Sequence, residues 1–249
     1  MKYSQSNLEQ LFQLIGSMPN QEYGRTAHFD YIKTAASAWP NQLINFRTEG
    51  KEIIHILNQI EKDALTGRIP ELLMLNPSKD ENLSKEPFIR KKYSSSVWTA
   101  MTHNLQFISP QKQIENFHIK LIDNGDDLKL WLALVASELM NDHPLNASVF
   151  NALLNHKAVC FFLGIANGQA VATSFLYAHG AAAGVYLVST AKSHRKRGFG
   201  KALTVACLHK AKELGCYRVD IQATGLGKPV YASLGFVSRG DIDVYRVKV

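Results

Sequence analysis

The sequence predicts an α/β (α+β) fold, a mixed central sheet flanked by helices, with a smaller N-terminal α/β domain. Three observations predict it. Strand-period and helix-period segments alternate along both halves of the chain. Residues 158–180, AVCFFLGIANGQAVATSFLYAHG, read as two strands joined by Asn167-Gly168, a dipeptide that suits a tight hairpin because both turn residues need positive φ. A basic, glycine-rich stretch, KSHRKRGFGKAL (192–203), separates a strand from a helix.

Each element has its own signal. Ser4 to Ile15 reads as a short amphipathic helix and NQLINFR (41–47) as a strand. EGKEIIHILNQIEKDALTG (49–67) places Ile53, Ile56, Leu57 and Ile60 at helical spacing, and Gly67 stops it. PELLML (70–75) is expected as a strand, residues 84–93 as a short helix, and SSVWTAMTHNL (95–105) as a further strand. QFISPQKQIE (106–115) is polar, contains Pro110 and reads as a linker, dividing a domain 1–112 from a domain 113–249. Beyond it, FHIKLID (117–123) alternates as a strand does, and DDLKLWLALVASELM (126–140) is an apolar helix with an acidic first turn. GVYLVST (184–190) is a strand. GFGKALTVACLHKAKELG (198–215) is a helix with Phe199, Leu203, Cys207, Ala211 and Leu214 in one stripe and Gly215 as its left-handed stop. YRVDIQA (217–223) is a strand, KPVYASLGF (228–236) a short helix begun by Pro229 and ended by Gly235, and DIDVYRVKV (241–249) the last strand.

Composition excludes several classes. The 249 residues are 46% hydrophobic and 20% charged, which suits a globular protein with a core. Cys160, Cys207 and Cys216 show no CxxC spacing and are expected as reduced thiols. The opening MKYSQSNLEQLFQLIG lacks the apolar block of a secretory leader, and no apolar run is long enough to span a bilayer. A cytoplasmic protein with no membrane role is therefore expected. The net charge of +7 is uneven: residues 1–112 hold 13 basic and 11 acidic residues (+2), residues 113–249 hold 15 and 10 (+5), and five of those fifteen cations lie between Lys192 and Lys201. One compact cluster suits a single anionic ligand better than a nucleic-acid track, which would need several basic-aromatic clusters.

Arg195, Lys196 and Arg197 lie in a polar loop after a strand, and Gly198 and Gly200 then open a helix. The first turn of a helix leaves N–H groups without partners, and the peptide dipoles put partial positive charge there. Glycine lets a ligand approach that backbone closely. Such a site suits a pyrophosphate. A dinucleotide fingerprint does not fit, because the position for its third small residue is Leu203 and Asp220, about 20 residues on, falls within the next strand. GLGKP (225–229) lacks the earlier glycine and the Ser/Thr of a phosphate-binding loop.

VYLVSTAKSHRKRGFGKAL resembles the acyl-coenzyme A-binding segment of GNAT-type N-acetyltransferases, a strand and loop followed by [RQ]-x-x-G-x-[GA], with Arg195, Gly198 and Gly200 at the three fixed positions. PVYASLGF (229–236) resembles the late Y-x-x-x-G-F element of that family. The resemblance covers roughly residues 115–249 and implies a GNAT fold with acetyl-CoA as co-substrate and no metal. It implies that backbone amides of Lys196, Arg197, Gly198, Phe199, Gly200 and Lys201 hold the pyrophosphate, with Arg195 in the same motif, and that Val188, Ser189 and Thr190 pair with the pantetheine arm. Phe199 and Leu203 are expected to serve the core with their side chains. Tyr231 would be the acid that protonates the departing thiolate. The acceptor implied is a small-molecule amine or else a peptide amine, with no nucleic-acid partner; a homodimer is left open.

Two departures accompany the resemblance. GVYLVST holds no carboxylate, so the general base is left among Glu138, His179 and Asp220, each with an ordinary structural role as its alternative, and Ser189 is a candidate for ordering a water. ATGLGKP has no Asn where relatives carry one on the cofactor. The front part shows no [RQ]-x-x-G-x-[GA], so it is expected either as a degenerate GNAT-like unit covering the substrate cleft or as a separate accessory domain. IRKKY (89–93) reads as a solvated face. A non-catalytic acyl-CoA-binding sensor or regulatory module is the alternative function.

Overall fold

The computed structural model describes residues 5–47, 51–75 and 87–248. Ser4, residues 49–50 and 84–86, and Val249, all assigned above to predicted elements, lie outside them. The front of the chain runs α1 (Gln5–Gly16), β1 (Gln21–Arg25), β2 (Asp30–Thr34), β3 (Gln42–Ile44), α2 (Lys51–Leu65), β4 (Leu72–Leu75), α3 (Pro87–Lys92) and β5 (Tyr93–Asn104). It continues with β6 (Phe117–Leu121), α4 (Gly125–Leu139), α5 (Ala147–Leu154), β7 (Val159–Ala166), β8 (Gln169–His179) and β9 (Ala182–Thr190). A 3-10 turn at Lys192–His194 leads to α6 (Phe199–Glu213), β10 (Arg218–Ala223), α7 (Lys228–Ala232) and β11 (Val237–Val247).

All eleven strands join one mixed sheet in the order β1-β2-β3-β4-β11-β5-β10-β9-β8-β7-β6. The β3–β4 and β9–β10 pairs are parallel; the others are antiparallel. The final strand β11 lies between β4 and β5, and β5 between β11 and β10, so the segments on either side of residue 112 share one sheet.

Side chains alternate across the sheet, so each strand feeds a core on each face. Phe161, Phe175, Trp131 and Phe150 pack with α1, α4 and α5. Phe162, Leu176, Val185 and the buried side of α6 form a second cluster. A third gathers Ile53, Ile56, Leu57 and Ile60 of α2 against β4 and β11. In α6 the expected stripe holds at Phe199, Leu203, Cys207 and Ala211, all buried, but fails at Leu214, which is 37% exposed because the helix ends at Glu213.

The hairpin is as expected, with Asn167 and Gly168 at φ 49° and 78°. Two parts had no expected element. The β1–β2 hairpin is short and polar and is held by the buried Asp30 carboxylate, which accepts from Arg25, Arg47 and Asn45. Helix α5 is capped by Asn146, whose side chain accepts from Ser148 and Val149 N–H; Asn146 also donates to Ala35 O at 2.8 Å, tying the two parts of the chain together.

Trp131 is fully buried, donates Nε1–H to Ser174 O at 3.2 Å and touches the rings of Phe150 and Phe161. Trp131→Ala is expected to lower unfolding free energy by about 3–5 kcal/mol, from cavity formation and an orphaned carbonyl. Urea unfolding followed by circular dichroism checks this.

Candidate functional site

Strands β9 and β10 pair over three rungs, ending at Asp220 opposite Gly184. Past that rung they part. A bulge on β9 turns it further, where three steps from Tyr186 to Ser189 face two steps on β8 and Leu187 takes φ 50°. Residues of β9 beyond Gly184 thus present backbone with no β10 partner, and a cavity of about 260 Å³ opens between Leu187 and Val188 on one side and Ile221, Gln222 and Thr224 on the other. Gly184 is required at the branch point: a Cβ there would lie 2.1 Å from the Tyr186 hydroxyl and 2.4 Å from Asn7 Oδ1. Tyr186 donates to Asn7 Oδ1 at 2.7 Å, and Asn7 donates to Tyr177 O and Ala182 O, so α1 pins the branch.

Helix α6 begins beside the open end of β9. A Cβ on Gly200 would lie 3.5 Å from Thr190 Oγ1 and 3.9 Å from Val188 Cγ1. The first helical bond is Ala202 N–H to Gly198 O at 2.9 Å, so the amides of Phe199, Gly200 and Lys201 precede it. Lys196 and Gly198 take left-handed φ values of 63° and 86° just before the helix. Of the stretch from Lys196 to Lys201 expected to offer amides, Gly200 thus stands beside Val188 and Thr190.

The five cations do not act as one pool. Arg195 donates from Nη2 to Glu138 Oε2 at 2.8 Å and from Nε to Thr190 O at 3.1 Å, while Glu138 Oε1 accepts the Lys192 N–H at 3.1 Å. Arg195 thus clamps the loop to the end of α4. Arg197 lies over the Phe199 ring at 5.0 Å, and Lys201 Nζ donates to Ser233 Oγ. The side chains of Lys192 and Lys196 bond no described residue. Phe199 stacks on Phe117 at 4.2 Å and Leu203 is fully buried, so both side chains serve the core.

Tyr231 of α7 lines the cavity. Its ring packs on Gly227 and Phe236, and its hydroxyl meets no described hydrogen-bond partner while opening to the cavity. Burial, reinforced by the nearby Cys207 thiol, holds this phenol well above the usual tyrosine range.

The three candidate bases are placed elsewhere. Glu138 is engaged by Arg195 and Lys192 as described. His179 ends β8 opposite Ala182, six residues before Val188 and roughly 20 Å away along the strand. Asp220 is buried and ion-paired with Arg218 at 3.0 Å. None lines the cavity. Ser189 does not order a water there either, because its buried hydroxyl bonds Thr173 at 2.7 Å. No sequence pattern marks the cavity's far wall: Leu8, Trp39, Gln42 and Met74 from the front of the chain, Trp98 from β5, and Leu139 and Met140 at the end of α4. These positions share no spacing, and only the folded sheet brings them together. Among the described residues there is no cluster of three His, Cys, Asp or Glu that could hold a metal, and no helix is long and apolar enough to cross a membrane.

Residues 128–236 match the model of the acetyltransferase (GNAT) family. A GCN5-related N-acetyltransferase from Kribbella flavida is similar in structure, with a TM-score of 0.68, 15% identity, and 98% of this chain and 95% of that one covered. A GCN5-related N-acetyltransferase from Sphaerobacter thermophilus gives 0.62 at 14% identity, covering 96% and 84%. A GCN5-related N-acetyltransferase-like protein from Streptococcus suis gives 0.60 at 14% identity, covering 98% and 99%. At these identities the likeness is one of fold. No curated protein sequence matches.

If Glu138 and Arg195 work as one clamp, Glu138→Ala and Arg195→Ala should each lower stability by about 1–2 kcal/mol, and the double variant by less than their sum. A urea-unfolding double-mutant cycle measures this; full additivity would show that the clamp is not a unit.

Proposed function

We propose, from the match of residues 128–236 to the acetyltransferase (GNAT) family model, that this protein moves the acetyl group of acetyl-CoA to the primary amine of a small molecule. The observation that carries this is the parting of β9 from β10 with the α6 N-terminus set at its open end.

The residues present fit acetyl-CoA. Amides at the helix start, from Lys196 to Lys201, suit its pyrophosphate, and the cations of Lys192 and Lys196 stand free to reach a further phosphate. The unpaired β9 edge at Val188, Ser189 and Thr190 suits the amide groups of pantetheine, as an added strand would. When bound, acetyl-CoA supplies an acetyl group activated as a thioester. Backbone N–H groups at the β9 bulge are the donors available for charge developing on the acetyl oxygen. As the acceptor nitrogen bonds the acetyl carbon and the carbon–sulfur bond breaks, Tyr231 gives its proton to sulfur and recovers one from nitrogen. The amine thereby becomes an amide, the thioester a thiol, and the tyrosine is unchanged. Its raised pKa keeps this phenol protonated through the neutral range, as an acid must be before it donates. The front of the chain closes the acceptor side with Leu8, Trp39, Gln42 and Met74.

Two substitutions separate binding from chemistry. At Gly200 an aspartate Cβ meets ordinary contact distances, and a carboxylate in the first turn favours the helix. Gly200→Asp should therefore keep or raise Tm yet weaken acetyl-CoA binding by about 100-fold or more, through repulsion of the phosphates. Calorimetry reporting wild-type affinity in the folded variant would remove the site. Tyr231→Phe should cut kcat by about 100-fold or more with little change in acetyl-CoA affinity. Equal turnover, read from thiol release, would end its role as acid.

A further inference from the structure

We infer that the acceptor is an amine with a compact apolar body, taken up as the uncharged free base; this rests on the acetyl-transfer reading above. The cavity's far wall is Leu8, Trp39, Met74, Trp98, Leu139 and Met140. Its remaining polar side chains are those of Gln42, Gln222 and Thr224 and the hydroxyls of Tyr186 and Tyr231. No Asp, Glu, Lys, Arg or His lines it among the described residues.

Two carboxylates adjacent in sequence to lining residues are paired. Behind the branch, Asp220 pairs with Arg218. At the end of α4, Glu138 pairs with Arg195. Past Leu139 and Met140 an outer groove holds Lys33, His143 and the Arg246–Glu71 pair; Lys33 there donates to Gly67 O at 2.6 Å. Gln42 is turned to the Met74 sulfur at 2.6 Å. Gln222 alone offers a carboxamide on the cavity wall with no described partner, and its carbonyl suits an amine N–H.

An ammonium entering this cavity would lose part of its water and meet no carboxylate, which disfavours the charged form. A neutral amine loses little, and an aromatic or aliphatic body gains contact with two indoles and two thioethers. Desolvation then does what a general base would otherwise do: it selects the deprotonated nitrogen, the form that attacks. The cavity of about 260 Å³, part of which the acetyl-CoA arm would take, leaves room for a small body, and the charges of polycations or hydroxyls of sugars would be stranded on its apolar wall.

The test compares 2-phenylethylamine with spermidine and glucosamine on the full chain, alongside calorimetry of acetyl-CoA. 2-Phenylethylamine should be acetylated with kcat/KM at least about 100-fold above the other two. Its binding should change tryptophan fluorescence, since Trp39 and Trp98 line the cavity, and Trp98→Ala should raise its KM about 10-fold or more. kcat/KM should rise with pH to a midpoint that follows the acceptor, shifting when the less basic β,β-difluoro analogue is used. Spermidine or glucosamine matching 2-phenylethylamine would overturn the inference, as would a midpoint shared by both phenyl amines, which marks a base on the protein. Either result with acetyl-CoA still bound leaves acetyl transfer standing; absence of acetyl-CoA binding together with absence of thiol release from every amine overturns both.

Discussion

The site depends on the parallel pairing of β9 with β10 stopping after three rungs. A parallel pair in mid-sheet would ordinarily continue, because each further rung satisfies backbone groups that are costly to leave buried and unpaired. Here the pairing is limited on both sides. Gly184 at the last rung lies under Asn7 and the Tyr186 hydroxyl, and three residues later Leu187 sits in the left-handed region at the bulge. Leu187 and Val188 are left on a cavity rather than against a β10 partner. Pinning comes from Asn7 on α1, so a residue near the start of the chain helps hold open a gap some 180 positions later.

The two ends of that gap are mechanically joined. Glu138 is the residue before Leu139 and Met140, which form part of the cavity wall. Its carboxylate holds both the Lys192 amide and the Arg195 guanidinium, and Arg195 in turn holds Thr190 O. The end of α4 is therefore fixed at once to the basic loop and to the cavity wall. This explains why the most basic stretch of the chain is not a simple reservoir of charge. Arg195 orders backbone and Arg197 covers Phe199, while Lys192 and Lys196 keep free ammonium groups. Main-chain N–H groups supply the rest of the positive potential, and they need no particular side chain.

That difference decides what the sequence could disclose. The order of strand, loop, glycine and helix from Val188 to Lys201 was readable, as were the hairpin at Asn167-Gly168 and most of the later strands and helices. The β1–β2 hairpin was not, because its stability comes from the Asp30 network with Arg25, Arg47 and Asn45, which follows no period. Helix α5 is only eight residues long; its signals were the Asn146 cap and the apolar triplet Val149, Phe150 and Leu153. A linker at 106–115 suggested two units, but β11 returns between β4 and β5 and puts both in one sheet, a pairing of distant segments that no local pattern encodes.

The base that the sequence could not identify is best understood through the same geometry. Glu138 is engaged at the loop, Asp220 by Arg218, and His179 lies at the far end of its strand. A carboxylate placed in the cavity would stabilise an incoming ammonium and hold the proton that must be lost. An apolar wall does the reverse, because charge is the form it excludes. Leu8, Trp39, Met74 and Trp98 come from four separate elements or loops and each reads as ordinary core in sequence. The proposed chemical effect would arise only from their lining one volume together without an ionic side chain. Thus the half of the proposed site that would receive phosphate is written in contiguous backbone, whereas the half that would discriminate among amines is composed of side chains whose common property is neutrality.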